Sequence, residues 1–207
     1  MINLINRGHL IGGGMLCPTK EYFYLNIPKN ASTFLTNVFK DQNWTHWNLT
    51  NGTYKNVIIV LRDPVERWVS GIATYLCSYV LGENYGSDHF VADYNEAVER
   101  LLFDNIIFDD HTAPQSIFVN EIPNISNRIF IRLNHKTLIT EIANATGCPL
   151  TVAEGIADNS KETNYDINQI SNFIRNRITP SLEKKLKDAY ADDYQLLNSL
   201  NFKNDPR

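Results

Sequence analysis

The sequence predicts an α/β domain with a mostly parallel central sheet flanked by helices, on three observations. Short aromatic and β-branched runs alternate with stretches of helical periodicity. Two of the runs lead into motifs that carry cationic and hydroxyl residues, each of which opens a helix. No internal repeat, low-complexity tract or linker divides the 207 residues, a length that suits one domain with a substantial core. Residues 1–20 read as an N-terminal extension and 160–207 as C-terminal helices packed on the domain.

Gly12-Gly13-Gly14 reads as a flexible turn and not a phosphate loop, since no strand precedes it and no helix clearly follows. Tyr22 to Ile27 (YFYLNI) reads as a strand and Thr33 to Lys40 as a short helix. Val57 to Leu61 is a continuous apolar run, the signature of a buried strand, and Val65 to Val80 the helix after it. Tyr94 to Phe103 has helical spacing. Arg128 to Leu133 reads as a further strand, and Lys136 to Thr146 as a helix closed by Gly147. Asp166 to Ile178 and Pro180 to Leu200 read as C-terminal helices, the second capped by Thr179 with Pro180 at its first position.

Nineteen Lys and Arg stand against 23 Asp and Glu, for a net charge of −4. That leaves no global basic field and argues against a nucleic-acid partner. Cys17, Cys77 and Cys148 have no paired spacing and are expected as reduced thiols. The first sixteen residues lack the apolar centre of a secretory signal, and no run reaches membrane-spanning length. A soluble, cytoplasmic protein is expected. No His, Cys and Asp cluster has metal-ligand spacing, so no metal is expected.

Two motifs carry chemistry. The first, Ile27-Pro28-Lys29-Asn30-Ala31-Ser32-Thr33, joins a strand to its helix. Such a junction aims free backbone N–H groups at an anion over the helix N-terminus, and Lys29 adds positive charge. Ser32 and Thr33 add hydroxyls, and Ala31 keeps the loop small. The plainer alternative is a helix capped by Ser32 or Thr33 beside a solvated lysine. The second motif, Arg62-Asp63-Pro64-Val65-Glu66-Arg67-Trp68-Val69-Ser70, follows the Val57 strand. Arg62 sits at the strand's carboxyl end and Ser70 about two turns into the helix, so a guanidinium fork and a hydroxyl can hold a phosphate. Its alternative is an Arg that ends a strand and a Ser that faces water. Glu66 is expected to pair with Arg67 or another helix-face charge. The Walker A pattern is absent, and no acidic residue at a strand end suits Mg²⁺, which disfavours a kinase.

Together the two motifs resemble those of sulfotransferases that use 3′-phosphoadenosine 5′-phosphosulfate (PAPS), in particular the carbohydrate (Golgi-type) branch and its bacterial relatives. Pro28 to Thr33 resembles the family's Pro-Lys-x-x-x-Thr loop for the 5′-phosphosulfate, and Arg62 to Ser70 its Arg-to-Ser element for the 3′-phosphate. Asp109-Asp110-His111-Thr112-Ala113-Pro114-Gln115 resembles an Asp-x-His-x-x-Pro-Gln element. Phe130 to Asn134 is similar to a later strand of the family, and Asn159-Ser160-Lys161 with Tyr190 to Tyr194 to its C-terminal region. The Gly-x-x-Gly-x-x-Lys loop of the cytosolic branch is missing, with Lys161 as a candidate substitute.

The resemblance implies a single P-loop-like domain that binds PAPS, releases 3′-phosphoadenosine 5′-phosphate (PAP) and needs no metal. Pro28, Lys29, Asn30, Ala31, Ser32, Thr33, Arg62 and Ser70 would hold the nucleotide, with Lys29 also meeting charge on the leaving phosphate. The acceptor would be a small molecule or glycan bearing a hydroxyl or amine, and a hydroxyl acceptor needs a base. His46, in Trp44-Thr45-His46-Trp47 between the motifs, lies where the family often places its catalytic histidine; the alternative is a structural imidazole between tryptophans. His111 is the next candidate, with acceptor positioning or a structural role as its rivals. His135 is expected to cap a helix, and His9 and His89 to be solvated. Tyr75, Tyr79, Tyr85, Trp44 and Trp47 are candidates for an aromatic acceptor cleft or for the core. A PAPS-binding module without transfer activity, or a small-molecule kinase, are the alternatives to an enzyme of this family.

Overall fold

The computed structural model describes residues 12–52, 54–75, 106–107, 110–123, 126–153, 156 and 167–200. The expected helix Tyr94 to Phe103 lies outside them, as do His9, Cys77, Tyr79, Tyr85, His89, Asp109 and Asn159 to Lys161. Among the described residues a five-stranded sheet is built from β1 (Gly13–Leu16), β2 (Tyr22–Leu25), β3 (Thr45–Asn48), β4 (Asn56–Leu61) and β5 (Asn127–Arg132). The helices are α1 (Ser32–Asp41), α2 (Pro64–Tyr75), α3 (Gln115–Asn120), α4 (Leu138–Thr146), α5 (Ile167–Arg175), α6 (Pro180–Ala189) and α7 (Ala191–Ser199).

The strand order is β3-β1-β2-β4-β5. β2 pairs with β4 and β4 with β5 in parallel, but β1 pairs antiparallel with both β2 and β3. The sheet is therefore mixed and not mostly parallel. The reason is connection length. Only residues 17–21 join β1 to β2, which is enough for a hairpin but not for a parallel crossover. The turn is closed by Cys17 N–H on the Tyr22 carbonyl at 3.0 Å and Lys20 N–H on the Cys17 carbonyl at 2.9 Å, with Lys20 at φ 61°.

Residues 13–16, expected within an N-terminal extension whose Gly12-Gly13-Gly14 would be a flexible turn, thus form an interior strand. Glycine hides that strand from propensity, yet the packing demands it. A Cβ on Gly14 would lie 1.9 Å from the Tyr24 carbonyl oxygen.

One sheet face packs Phe23, Leu25, Val57, Ile59 and Leu61 against Phe118 and Val119 of α3, with Leu196 and Leu197 of α7 alongside. The other packs Met15, Tyr24, Ile58 and Val60 against Leu35 and Phe39 of α1 and Leu138 and Ile142 of α4. A third cluster joins Trp68 and Ile72 of α2 to Ile170 and Ile174 of α5 and Leu182 and Leu186 of α6.

The ends of the elements obey local chemistry. Gly147 takes φ 68° and closes α4 as expected, and the Thr179 hydroxyl accepts from Leu182 N–H at 3.2 Å to cap α6. Thr137, not His135, stands at the N-cap of α4, and His135 is exposed. The span Pro180 to Leu200 is two helices. They break at Tyr190, which is buried and donates its hydroxyl to the Thr112 carbonyl. No helix among the described residues is long and apolar enough to cross a membrane.

Candidate functional site

Because β2 and β4 pair in parallel, the loops that follow them emerge side by side at the carboxyl edge of the sheet, where ligands collect in open α/β sheets. The Pro28–Ser32 loop leaves β2, and Arg62 leaves β4. Arg62 Nη1 donates to the Lys29 carbonyl at 3.2 Å, so the two motifs are in contact.

The first loop is held in an uncommon conformation. Lys29 and Ala31 take φ 69° and 59°, both left-handed without being glycine. Ala31 is the N-cap of α1, and no side chain caps the helix. The alternative in which Ser32 or Thr33 is the cap is thereby excluded, and Ser32 instead opens the helix. Leu35 N–H already bonds to the Ala31 carbonyl at 2.9 Å, which leaves the first-turn N–H groups of Ser32 and Thr33 for an incoming anion. Asn30 plays a different part. Its side chain is fully buried and donates to the Val60 carbonyl at 2.8 Å and to Gln115 Oε1 at 2.7 Å, so it ties the loop to the sheet.

The Lys29 ammonium donates to Thr74 Oγ1 at 2.6 Å, and Thr74 Oγ1 donates in turn to the Ser70 carbonyl at 3.0 Å. Lys29 thus reaches the face of α2 that carries Ser70, the partly buried second-motif serine. Thr74 lies one turn beyond Ser70, and that i, i+4 spacing is the sequence signal that could have marked it.

Arg62 is partly buried, which pushes its guanidinium down from the usual arginine range. Glu66, 3.7 Å from Arg62 Nη2, opposes the shift. Glu66 does not pair with Arg67. It takes a two-point contact from Arg175 of α5, Nε at 3.0 Å and Nη2 at 2.6 Å, and these bonds hold its carboxyl below the usual range.

Arg67 is a tether. It is 1% exposed, and its guanidinium donates to the Pro28 and Asp110 carbonyls at 2.9 Å each and to the Ala113 carbonyl. Gln115 is a second tether. Its Oε1 accepts from Arg62 N–H at 2.9 Å and its Nε2 donates to the Arg62 carbonyl at 2.8 Å. Asp193 on α7 receives the N–H groups of Gln115 and Ser116 at 2.8 Å each, which fixes the start of α3. Gln115 stood in the Pro-Gln element of the sequence, but nothing local said that it would clasp the Arg62 peptide.

The two base candidates stand on different elements. His46 is exposed on β3, opposite Met15 of β1. It borders a cavity of about 400 Å³ with Asn26, Pro28, Trp47, Asn48 and Phe118. His111 follows Asp110 in the turn held by Arg67, with its Nδ1 3.1 Å from Asp110 Oδ1. Trp44 is core, stacked on Phe39 at 4.3 Å, whereas Trp47 reaches the cavity. The side chain of Tyr75 lies outside the described residues. Among the described residues no group of three or more His, Cys, Asp or Glu side chains is placed to hold a metal ion.

Comparison of the chain with protein-family models, with curated proteins and with solved structures finds no match.

Proposed function

We propose that the protein is a sulfotransferase. It would move a sulfuryl group from PAPS to a hydroxyl or amine of a carbohydrate or other small acceptor by in-line displacement. The observation that supports this reading is the contact of Arg62 with the Lys29 loop at 3.2 Å, which brings the two candidate anion-binding motifs close enough to serve one ligand. The uncapped N-terminus of α1 suits a phosphosulfate, and the buried charge of Arg62 suits a second phosphate.

When bound, PAPS supplies an activated sulfuryl group on a phosphate leaving group. The N–H groups of Ser32 and Thr33 and the Lys29 ammonium would meet the charge that grows on that phosphate. Arg62 and the Ser70 hydroxyl would hold the 3′-phosphate, while Asn30, Arg67 and Gln115 keep the two loops in register. An imidazole nitrogen of His46, exposed beside the cavity, would take the acceptor proton. His111 is the second candidate. With its Nδ1 turned to Asp110, its base-competent nitrogen is Nε2.

Calorimetric titration tests the reading. PAP is expected to bind at micromolar levels. Lys29→Ala and Arg62→Ala should each weaken it about 10- to 100-fold, the scale of a lost charge-assisted hydrogen bond. No stabilisation by PAP while ATP with Mg²⁺ stabilises the protein would overturn the proposal in favour of a kinase. PAP binding without sulfuryl transfer to any acceptor would leave a binding module.

A further inference from the structure

The cavity beside His46 has a chemistry of its own. None of its ten lining residues carries a permanent charge. Trp47 and Phe118 provide apolar wall, while Asn26, His46 and Asn48 provide donors and acceptors. The Asn48 amide oxygen is occupied by Thr50, which bonds it through N–H at 3.0 Å and through its hydroxyl at 2.8 Å, so the Asn48 amide nitrogen is left to donate. Two further wall residues each keep a buried polar atom without a hydrogen-bond partner: the Asn26 Oδ1 acceptor and the Trp47 Nε1 donor. Such groups are costly to leave unpaired, and both belong to residues of the cavity wall.

We infer that this cavity binds an uncharged saccharide ring. The volume of about 400 Å³ fits one or two sugar rings, within the range of small-molecule sites. A neutral sugar combines an apolar C–H face with hydroxyls that both donate and accept, which matches the aromatic wall and the unpaired amide and indole groups. A uronate or a sulfated sugar would bring a charge that no lining residue is built to pair. Pro28 belongs both to the cavity wall and to the first anion loop, so a ring bound here lies next to that loop. That the saccharide is the sulfuryl acceptor rests on the proposed function; that it binds does not.

Saturation-transfer NMR tests the inference without any nucleotide. The probes are methyl glycosides of glucose, galactose, mannose and N-acetylglucosamine, with methyl glucuronide as the charged counterpart and adenosine as a competitor. The full chain is expected to transfer saturation to at least one neutral glycoside and at least about fivefold less to the glucuronide. Trp47→Phe and Asn26→Ala, each checked for folding by thermal melt, should each weaken the neutral probe about fivefold, the scale of one lost hydrogen bond. Transfer to none of the neutral glycosides, equal transfer from wild type and the folded variants, preference for the glucuronide, or displacement of the glycoside by adenosine would each overturn it. Failure here leaves PAP binding untouched, and failure of PAP binding leaves this result standing.

Discussion

Gln115 Oε1 accepts a hydrogen bond from Asn30 Nδ2 at 2.7 Å, and the same carboxamide brackets the Arg62 peptide through that peptide's N–H and carbonyl. One buried side chain therefore sets the spacing of the two loops that carry the candidate anion-binding residues. Gln115→Leu should cost about 2–4 kcal/mol, because it strands the N–H and the carbonyl of a partly buried peptide and one buried Asn30 donor. Urea denaturation measures the cost. PAP affinity should fall with it, although Gln115 itself holds no phosphate.

Ala31 carries left-handed backbone at φ 59° at the start of α1. Glycine adopts that conformation without the Cβ conflict, at the cost of a more flexible unfolded chain. Ala31→Gly should therefore raise stability by about 0.5–1 kcal/mol, or about 1–4 °C in Tm for a chain of this size. A fall in Tm by scanning calorimetry would show that the alanine methyl packs usefully.

The Tyr24 hydroxyl is buried without a partner, and burial pushes its pKa upward. Its ring sits 5.0 Å from that of Phe39, so the ring has a packing role that the hydroxyl lacks. Tyr24→Phe should be neutral or stabilising by up to about 1 kcal/mol, since it removes an unpaired polar group and keeps the ring. Chemical denaturation that shows a loss would contradict the packing described.

The Glu66 carboxyl is held below its ordinary value of about 4.5, chiefly by its hydrogen bonds from Arg175. A depressed carboxyl pKa contributes stability above the unfolded value and loses it as pH falls through the folded value. Acidification below about pH 4.5 should therefore weaken the α2–α5 contact. Glu66→Gln and Arg175→Ala should each flatten that part of a stability-versus-pH curve. Both partners are more than a third exposed, so added salt should shrink the effect.

His46→Ala should lower kcat about 10²- to 10⁴-fold in a sulfuryl-transfer assay while PAP affinity is unchanged, as expected for a general base outside the nucleotide site. His111→Ala is the comparison. A full rate in both variants would move the base to another residue.

Much of the scaffold was legible in the chain. The apolar run Val57 to Leu61, the proline two residues after Arg62, the Thr179-Pro180 start and the Gly147 stop are local signals, and β4, the starts of α2 and α6 and the end of α4 follow them to within a residue or so. Local signals fail where a backbone is chosen by its neighbours. β1 runs through glycines because the Tyr24 carbonyl leaves no room for a Cβ at Gly14, and no propensity reports that distance. Tyr190 breaks the C-terminal helical span where its hydroxyl reaches the Thr112 carbonyl, 78 residues away in the chain.

The sequence by itself determined which residues are candidates for reading an anion: Lys29, Ser32, Thr33, Arg62 and Ser70 are named by residue type and by position after a strand. Tertiary structure alone decided how they are used. Parallel pairing of β2 with β4 brings Arg62 onto the Lys29 loop, and the antiparallel return of β1 and β3 carries His46 and Trp47 to a cavity that borders the same loop. It also divided the polar residues of the motifs into tethers and candidate ligand contacts: Asn30 and Arg67 turn inward to backbone carbonyls. The reason is that side-chain chemistry is local, whereas register, burial and the choice of hydrogen-bond partner are set between strands that lie far apart in the chain.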